Sequence, residues 1–422
     1  MKTQAIGAAF AAGISRPDAR RIRRLATIAA RHGGRVWLVG GPLRDLLLGR
    51  RLTDLDLAID GAVQRIARAV AREFAGAVRW HPRFSTATVS FPGGHLDLAA
   101  TRTETYAAPG ALPRVARGSI EEDLARRDFS VNAMALEILP RGHGDLIDPF
   151  DARADLRSGT LRVLHEGSFA DDPTRAFRAA RFAVRFGFRV ERATLAWMRA
   201  SIARGEPSML SGERVAAEIR RALNEPRPGA VFGLLARWKL GPAWDAAGSP
   251  STAGLTRLRY ANARLRSLQT PSDDDTALKL GVTFHDLSRI RRTRIANRLR
   301  VKRSERRFLV DAPDRAREIR KRLRRASGRH DVGALCLAGE TDALVLAALL
   351  AGAADFAKLR RGFRRARQAV LRIDGHDLLR AGVPRGAGLA RGLAAARRAC
   401  LAGRATTRAA QLEAALRELR ET

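Results

Sequence analysis

The sequence predicts an α+β protein: a mixed domain of strands and helices to about residue 140, then a long all-helical arm. Strand-like runs crowd the first part: VWLVG (36–40), LDLAI (55–59), TATVSF (86–91) and LDLAA (96–100). Beyond Asp148-Pro149 that signal fades, and apolar residues recur at spacings of three and four, as in PTRAFRAARFAVRFGF (173–188) and SGERVAAEIRRALNEP (211–226). Gly/Pro turns at 226–230, 248–254 and 383–388 divide the arm, and no fixed-period repeat runs through it.

In chain order, residues 1–32 read as one or two helices closed by Gly33-Gly34. The run 36–40 reads as a strand, followed by a Gly40-Gly41 turn. A short helix comes next, with Pro42 as its first residue and Gly49 at its exit. A second strand carries Asp54 and Asp56, and AVQRIARAVAREF (62–74) is a helix before the later strands. The helical stretch EEDLARRDFSVNAMAL (121–136) ends the mixed domain.

The chain has 422 residues, of which 45% are hydrophobic, enough for several domains and a sizeable core. Its longest apolar runs, such as ALVLAALLAGAADFA (343–357), stop short of a membrane span. The N-terminal segment is rich in Gly and Ala rather than Leu, unlike the core of a signal peptide, and the cytosol is the expected compartment. Cys336 and Cys400 make neither a disulfide framework nor a metal cluster. Lys and Arg number 78 against 43 Asp and Glu, a net charge of +35 with pI near 11.7. Such a field concentrates polyanions, so nucleic acid is the expected partner. A heavily solvated Arg-rich surface is the alternative.

Backbone N–H groups at a strand–Gly-Gly–helix junction favour an anion such as phosphate, although Gly40-Gly41 also suits a plain tight turn. Neither G-x-G-x-x-G nor G-K-[ST] is present there. Asp54 and Asp56, two apart on a strand, share a face, while Leu55, Leu57 and Ile59 face a core. Adjacent carboxylates repel unless a cation lies between them, and hard oxygen ligands suit Mg²⁺; an exposed polar face is the alternative. Asp97, on a later strand, is a candidate third carboxylate for a two-metal site. In 121–136, Arg126 and Arg127 supply forked donors for phosphate, Asp128 an acceptor for a sugar hydroxyl, and Asn132 follows; a salt-bridged helix would use the same residues. Asp172, Arg175 and Arg178 lie at helical spacing, where an Asp–Arg pair is also a common surface ion pair.

In this order the segments resemble the class II tRNA nucleotidyltransferase family, which includes CCA-adding, CC-adding and A-adding enzymes and bacterial poly(A) polymerases. The resemblance runs through VGGPLRDLLLGRRLTDLDLA, LDLAATRTETY, EEDLARRDFSVNAMAL, DDPTRAFRAARFAVRFGF and GERVAAEI, over about residues 20–225, with a weaker echo at 374–393 and 401–416. It implies a polymerase-β-like nucleotidyltransferase head (1–145), a helical neck with a base-recognition motif (146–230), a body (231–330) and a tRNA-binding tail (331–422). It also implies that Gly40, Gly41 and Arg44 hold the triphosphate, that Asp54 and Asp56 hold two Mg²⁺, and that Arg127 and Asp128 contact the ribose. Asp172 and Arg175 would read the base. Cytosine and adenine each present an amine donor beside a ring-nitrogen acceptor, which Asp and Arg complement; uracil and guanine reverse the pattern. The family's Glu-Asp is Asp171-Asp172 here, which puts a role for Asp171 in question.

The expected activity is addition of CCA to tRNA from CTP and ATP. A-adding and CC-adding activities remain open within the family. The basic segment that marks a poly(A) polymerase is not found after the aspartate pair. From other classes, a non-catalytic RNA-binding protein would not need Asp54, Asp56 and Arg44, and His285-Asp286 lacks the further ligands of a phosphohydrolase. The basic run 289–307 is a candidate grip on the RNA backbone, with composition bias as its alternative.

Overall fold

In the computed structural model the described residues are 7, 9–10, 12–52, 55–245, 250–268, 275–325, 332–333, 335–336 and 341–420. The chain divides into two compact units, Met1–Glu218 with Trp238–Ala243, and Ile219–Arg237 with Trp244–Thr422.

The first unit begins with α1 (Arg16–Arg31), started by Ser15, whose hydroxyl caps the Asp18 amide, and closed by Gly33 at φ +69°. Then follow β1 (Arg35–Val39), α2 (Gly40–Leu47), β2 (Asp56–Asp60), α3 (Val63–Glu73), β3 (Ala77–His81), β4 (Thr86–Phe91) and β5 (Gly94–Ala100). A two-stranded ribbon, β6 (Arg102–Thr105) with β7 (Arg114–Arg117), precedes α4 (Ile120–Ala125), β8 (Ala135–Ile138) and β9 (His143–Ile147).

Seven strands form one sheet in the order β3-β4-β5-β2-β1-β8-β9. Only β2 and β5 pair in parallel among them, and α3, β3 and β4 make the crossover between the two. Side chains alternate across the sheet. Val36, Leu38, Leu57, Ile59 and Leu98 join Ile22 and Leu25 of α1 and Ile66 and Val70 of α3 in the main core. Trp37, Val39 and Ala58 point the other way, onto Ile120, Leu124 and Ala135. Both faces of the central strands are therefore covered, which fixes their register.

The stretch 121–136 is not one helix. A reciprocal cap between Ser119 and Glu122 starts α4, which ends at Ala125. A 3₁₀ turn spans Ser130–Asn132, and β8 follows. Successive side chains of this segment enter opposite cores: Ala133 and Ala135 the smaller, Met134, Leu136 and Ile138 the larger. A continuous apolar run carries no periodicity by which the sequence could distinguish helix from strand. The helix after β1 begins at Gly40, two residues earlier than expected, so Pro42 is its third residue. Pro42 still lies among the first four residues, whose N–H groups have no intrahelical acceptor.

Beyond β9 the first unit is mainly helical. It contains α5 (Ala152–Ser158), α6 (Ser168–Asp171), α7 (Thr174–Phe186), α8 (Arg192–Ala203), α9 (Glu206–Met209) and the start of α10 (Gly212–Leu223), with a short parallel pair of strands, β10 (Thr160–Leu161) and β11 (Arg189–Val190).

The described part of the second unit has no strand. Its helix Thr341–Leu350 is buried at every position from Ala343 to Leu350, the all-round apolar character of a core helix. No helix among the described residues is long and apolar enough to cross a membrane.

Candidate nucleotide site

Asp56 opens β2, and its register partner on β5 is Asp97. Parallel pairing aligns their Cα atoms, so both carboxylates emerge side by side on one face, at the start of β2 and the middle of β5. Thr88 donates to Asp97 Oδ1 at 2.7 Å, and the His95 ring lies 3.7 Å from Oδ2. Asp54 lies outside the described residues. Asp56, Asp97, Gly41 and Arg44 line one cavity of 660 Å³. Among the described residues no three ligating side chains gather into a metal centre. Two solvent-facing carboxylates in register still provide the hard oxygen donors that suit Mg²⁺.

The strand-to-helix junction lies beside them. Gly40 has φ +70°, and a Cβ there would lie 2.6 Å from Arg127 Nη1 and 3.9 Å from Asp56 Oδ2. Only glycine lets that guanidinium approach so closely. Arg44 projects from α2 into the protein, 4% exposed. It donates to Asn132 Oδ1 at 2.5 Å and to Asp45 Oδ1 at 3.0 Å, with its guanidinium 4.4 Å from the Phe186 ring centre.

Asn132 relays this contact inward. Its amide donates to Asp128 Oδ1 at 2.8 Å, and Arg178 Nε donates to Asp128 Oδ2 at 2.7 Å. Burial pushes the Asp128 carboxyl up, but Arg178 and the Asn132 amide outweigh it and hold the group below its ordinary value. The Arg178 guanidinium is pushed up in turn, chiefly by Asp128. A continuous chain, Arg44–Asn132–Asp128–Arg178, thus ties the glycine turn to α7.

Arg127 Nη2 donates to Asp123 Oδ2 at 2.7 Å, while its buried Nε has no hydrogen-bond partner among the described residues. Arg126 also holds Asp123 at 2.6 Å and reaches Glu104 on the ribbon at 2.7 Å. Asp123 is buried, which raises its pKa, yet Arg127 and Arg126 bring it below the ordinary value. Glu104 further binds Arg102 and the Tyr106 hydroxyl. Burial, then Glu104, pushes the Tyr106 phenol up.

Asp172 caps the C-terminus of α6 and Arg175 lies in the first turn of α7. They do not pair with each other through their side chains. Asp172 Oδ1 accepts from the Thr174 amide, the Thr174 hydroxyl and Arg214 Nη2 at 2.9, 2.7 and 2.7 Å. Its Oδ2 accepts no hydrogen bond among the described residues. Arg175, 4% exposed, donates through Nη2 to the Arg126 carbonyl at 2.7 Å, and its buried Nη1 has no partner among them. Asp171 faces His165 at 3.5 Å instead.

Sequence reasoning assigned no role to Asp123, Glu104, Tyr106 or Arg214. Asp123 was within reach, three and four residues before Arg126 and Arg127. Arg214 was not: it belongs to α10, 42 positions from Asp172. Its Nη1 also binds the Gly110 carbonyl in the turn of the ribbon, at 2.8 Å.

Comparison with known proteins agrees with this geometry. Residues 36–162 match the poly A polymerase head domain family. The A-adding tRNA nucleotidyltransferase of Halalkalibacterium halodurans is 41% identical over 217 residues, 51% of this chain and 51% of that protein. The CC-adding tRNA nucleotidyltransferase of Deinococcus radiodurans is 36% identical over 48% of this chain and 54% of its own length. The multifunctional CCA protein of Burkholderia lata is 40% identical over 47% and 48%. The matched regions span about half of this chain and 24% to 51% of the first relatives' own lengths. Among solved structures, a CCA-adding enzyme in its apo form II has a TM-score of 0.81 at 24% identity over 98% of each chain. A CCA-adding enzyme with ATP has 0.77 at 25% identity over 94% of each chain. Residues 36–162 thus match the poly A polymerase head domain family, within a chain that has the fold of the CCA-adding enzymes.

Proposed function

We propose that the protein adds CCA to the 3′ end of tRNA from CTP and ATP, without a nucleic-acid template, in the cytosol. The observation that carries this reading lies on one turn: Asp172 Oδ2, which accepts no hydrogen bond among the described residues, beside the buried Arg175 Nη1, which has no partner among them. A buried donor without a partner is costly unless a ligand supplies one. An acceptor and a donor held together suit the amine and ring nitrogen shared by cytosine and adenine. They leave uracil and guanine mismatched by several kcal/mol at most, on the order of a lost charged hydrogen bond each.

Residues 1–145 serve as the head in this reading, 146–230 as the neck, and the helices of 231–330 and 331–422 as body and RNA-holding tail. The N–H groups at Gly40 and Gly41, with Arg44, receive the triphosphate. Arg127 and Asp128 address the ribose, with Asn132 and Arg178 holding Asp128 in place. The RNA 3′-oxygen attacks the α-phosphorus in line, gives up its proton, and pyrophosphate leaves as the bond to the β-phosphate oxygen breaks. Asp54 and Asp56, with Asp97 beside Asp56, would hold Mg²⁺, which supplies a lower hydroxyl pKa and neutralises triphosphate charge.

A second reading, addition of A alone, is favoured by the A-adding relatives at 41% identity. Three tRNAs separate the two: one lacking the 3′ end, one ending in C and one ending in CC, each given CTP and ATP singly and together. The main reading expects completion of all three with both nucleotides. Extension of the CC-ended tRNA only would replace it with A-addition, arrest at CC would indicate CC-addition, and a long A tail a poly(A) polymerase.

A further inference from the structure

A second cavity, of 590 Å³, opens at the C-terminal end of the strands that carry the paired carboxylates. Asp56 and Asp97 line the first cavity, whereas Gly61, just past β2, and Ala100, the last residue of β5, line this one. Arg65, Arg68 and Arg72 line it from α3 and Arg117 from β7; no carboxylate does. The three α3 arginines are spaced at i, i+3 and i+7 on the outer face, while Val63, Ile66, Ala67, Val70 and Ala71 face the core. All four arginines are exposed and none has an ion-pair partner among the described residues. The adjacent acid, Glu73, is taken by Arg24 at 2.7 Å. Trp80 of β3, half-buried, supplies an aromatic surface in the same cavity.

We infer that this groove is a second RNA-binding site, which grips the backbone of the RNA substrate away from the reacting 3′ end. The inference rests on the reading that the substrate is RNA. A polymer fits better than a small anion. The donors are spread along about 10 Å of helix rather than converging on one point. They are solvent-facing, whereas small-ligand pockets are enclosed and largely apolar. Arginines in a track beside an aromatic ring are what backbone gripping and base stacking use.

The test is the full chain carrying R65Q/R68Q/R72Q, which leaves the inner face of α3 intact. Its control, R20Q/R23Q/R192Q, removes equal charge from exposed positions elsewhere in the first unit. The probe is a tRNA lacking its 3′ end, titrated over a range of salt. The groove variant should bind about tenfold or more weakly near 0.15 M salt, with its log–log salt slope reduced by about 2 to 3. RNA KM should rise while nucleotide KM and kcat at saturating RNA hold, and the control should lose less. Equal losses in variant and control overturn the inference in favour of bulk charge. Undiminished RNA binding by a variant that has lost binding of inorganic phosphate overturns it in favour of a small-anion site. Parent-like RNA binding by the variant overturns the groove alone, whereas a parent that binds no RNA overturns the functional reading as well.

Discussion

Asp128, proposed to address the ribose, is also a residue that holds the fold together. Its carboxylate accepts from the Phe129 amide, Asn132 and Arg178, with its side chain 10% exposed. Asp128→Asn leaves Arg178 without its charge partner, and breaking so buried a pair should cost about 3 kcal/mol at neutral pH. The folded carboxyl titrates below its ordinary 3.8, so its contribution is complete above that value and is lost as pH falls through the lower folded value. Denaturant titrations of parent and variant should therefore differ by that amount near pH 7 and converge below pH 3.8. A gap that persisted unchanged into acid would contradict the assigned partnership. Asp128 and Arg178 could be singled out from the sequence, but the pairing between them could not. They lie 50 positions apart and meet only because the turn after α4 comes against α7.

At the scale of elements, the strand–glycine–helix junction was legible because its signals are local: Val39 extended, Gly40 at positive φ, Gly49 at the helix exit. The helix-like 121–136 was not, since two cores on opposite faces of the sheet decide its second half. In the basic run 289–307, several arginines have partners within the protein. Arg292 is 0% exposed and bound to Asp314 at 2.6 Å, Arg291 holds Asp245, and Arg289 holds Asp311, so these cations tie segments of the second unit to one another. Gly40→Ala tests the junction. Positive φ costs a residue with a side chain about 1–2 kcal/mol, whereas the clash falls on the flexible tip of Arg127 and mainly displaces it. The variant should lose that much stability by denaturant titration but tenfold or more in addition rate; an unchanged rate would contradict the closeness of Gly40 to the site.

For the whole molecule, the sheet brings Asp56 and Asp97 into register, a ribbon and a 3₁₀ turn frame Arg127 and Asp128, and α7 with Arg214 holds the turn that carries Asp172 and Arg175. Composition pointed to a polyanion, motif order to nucleotide transfer, and the three-dimensional network to which donors and acceptors have no partner among the described residues. The central claim is that Asp172 and Arg175 choose the nucleotide. Its most direct measurement offers each of the four ribonucleoside triphosphates separately to the parent and to Asp172→Ala, with a tRNA lacking its 3′ end, and compares incorporation rates. The account predicts that the parent takes CTP, discriminates strongly against UTP and GTP, and loses most of that preference when Asp172 is replaced. A variant that still rejects UTP as firmly as the parent would contradict it.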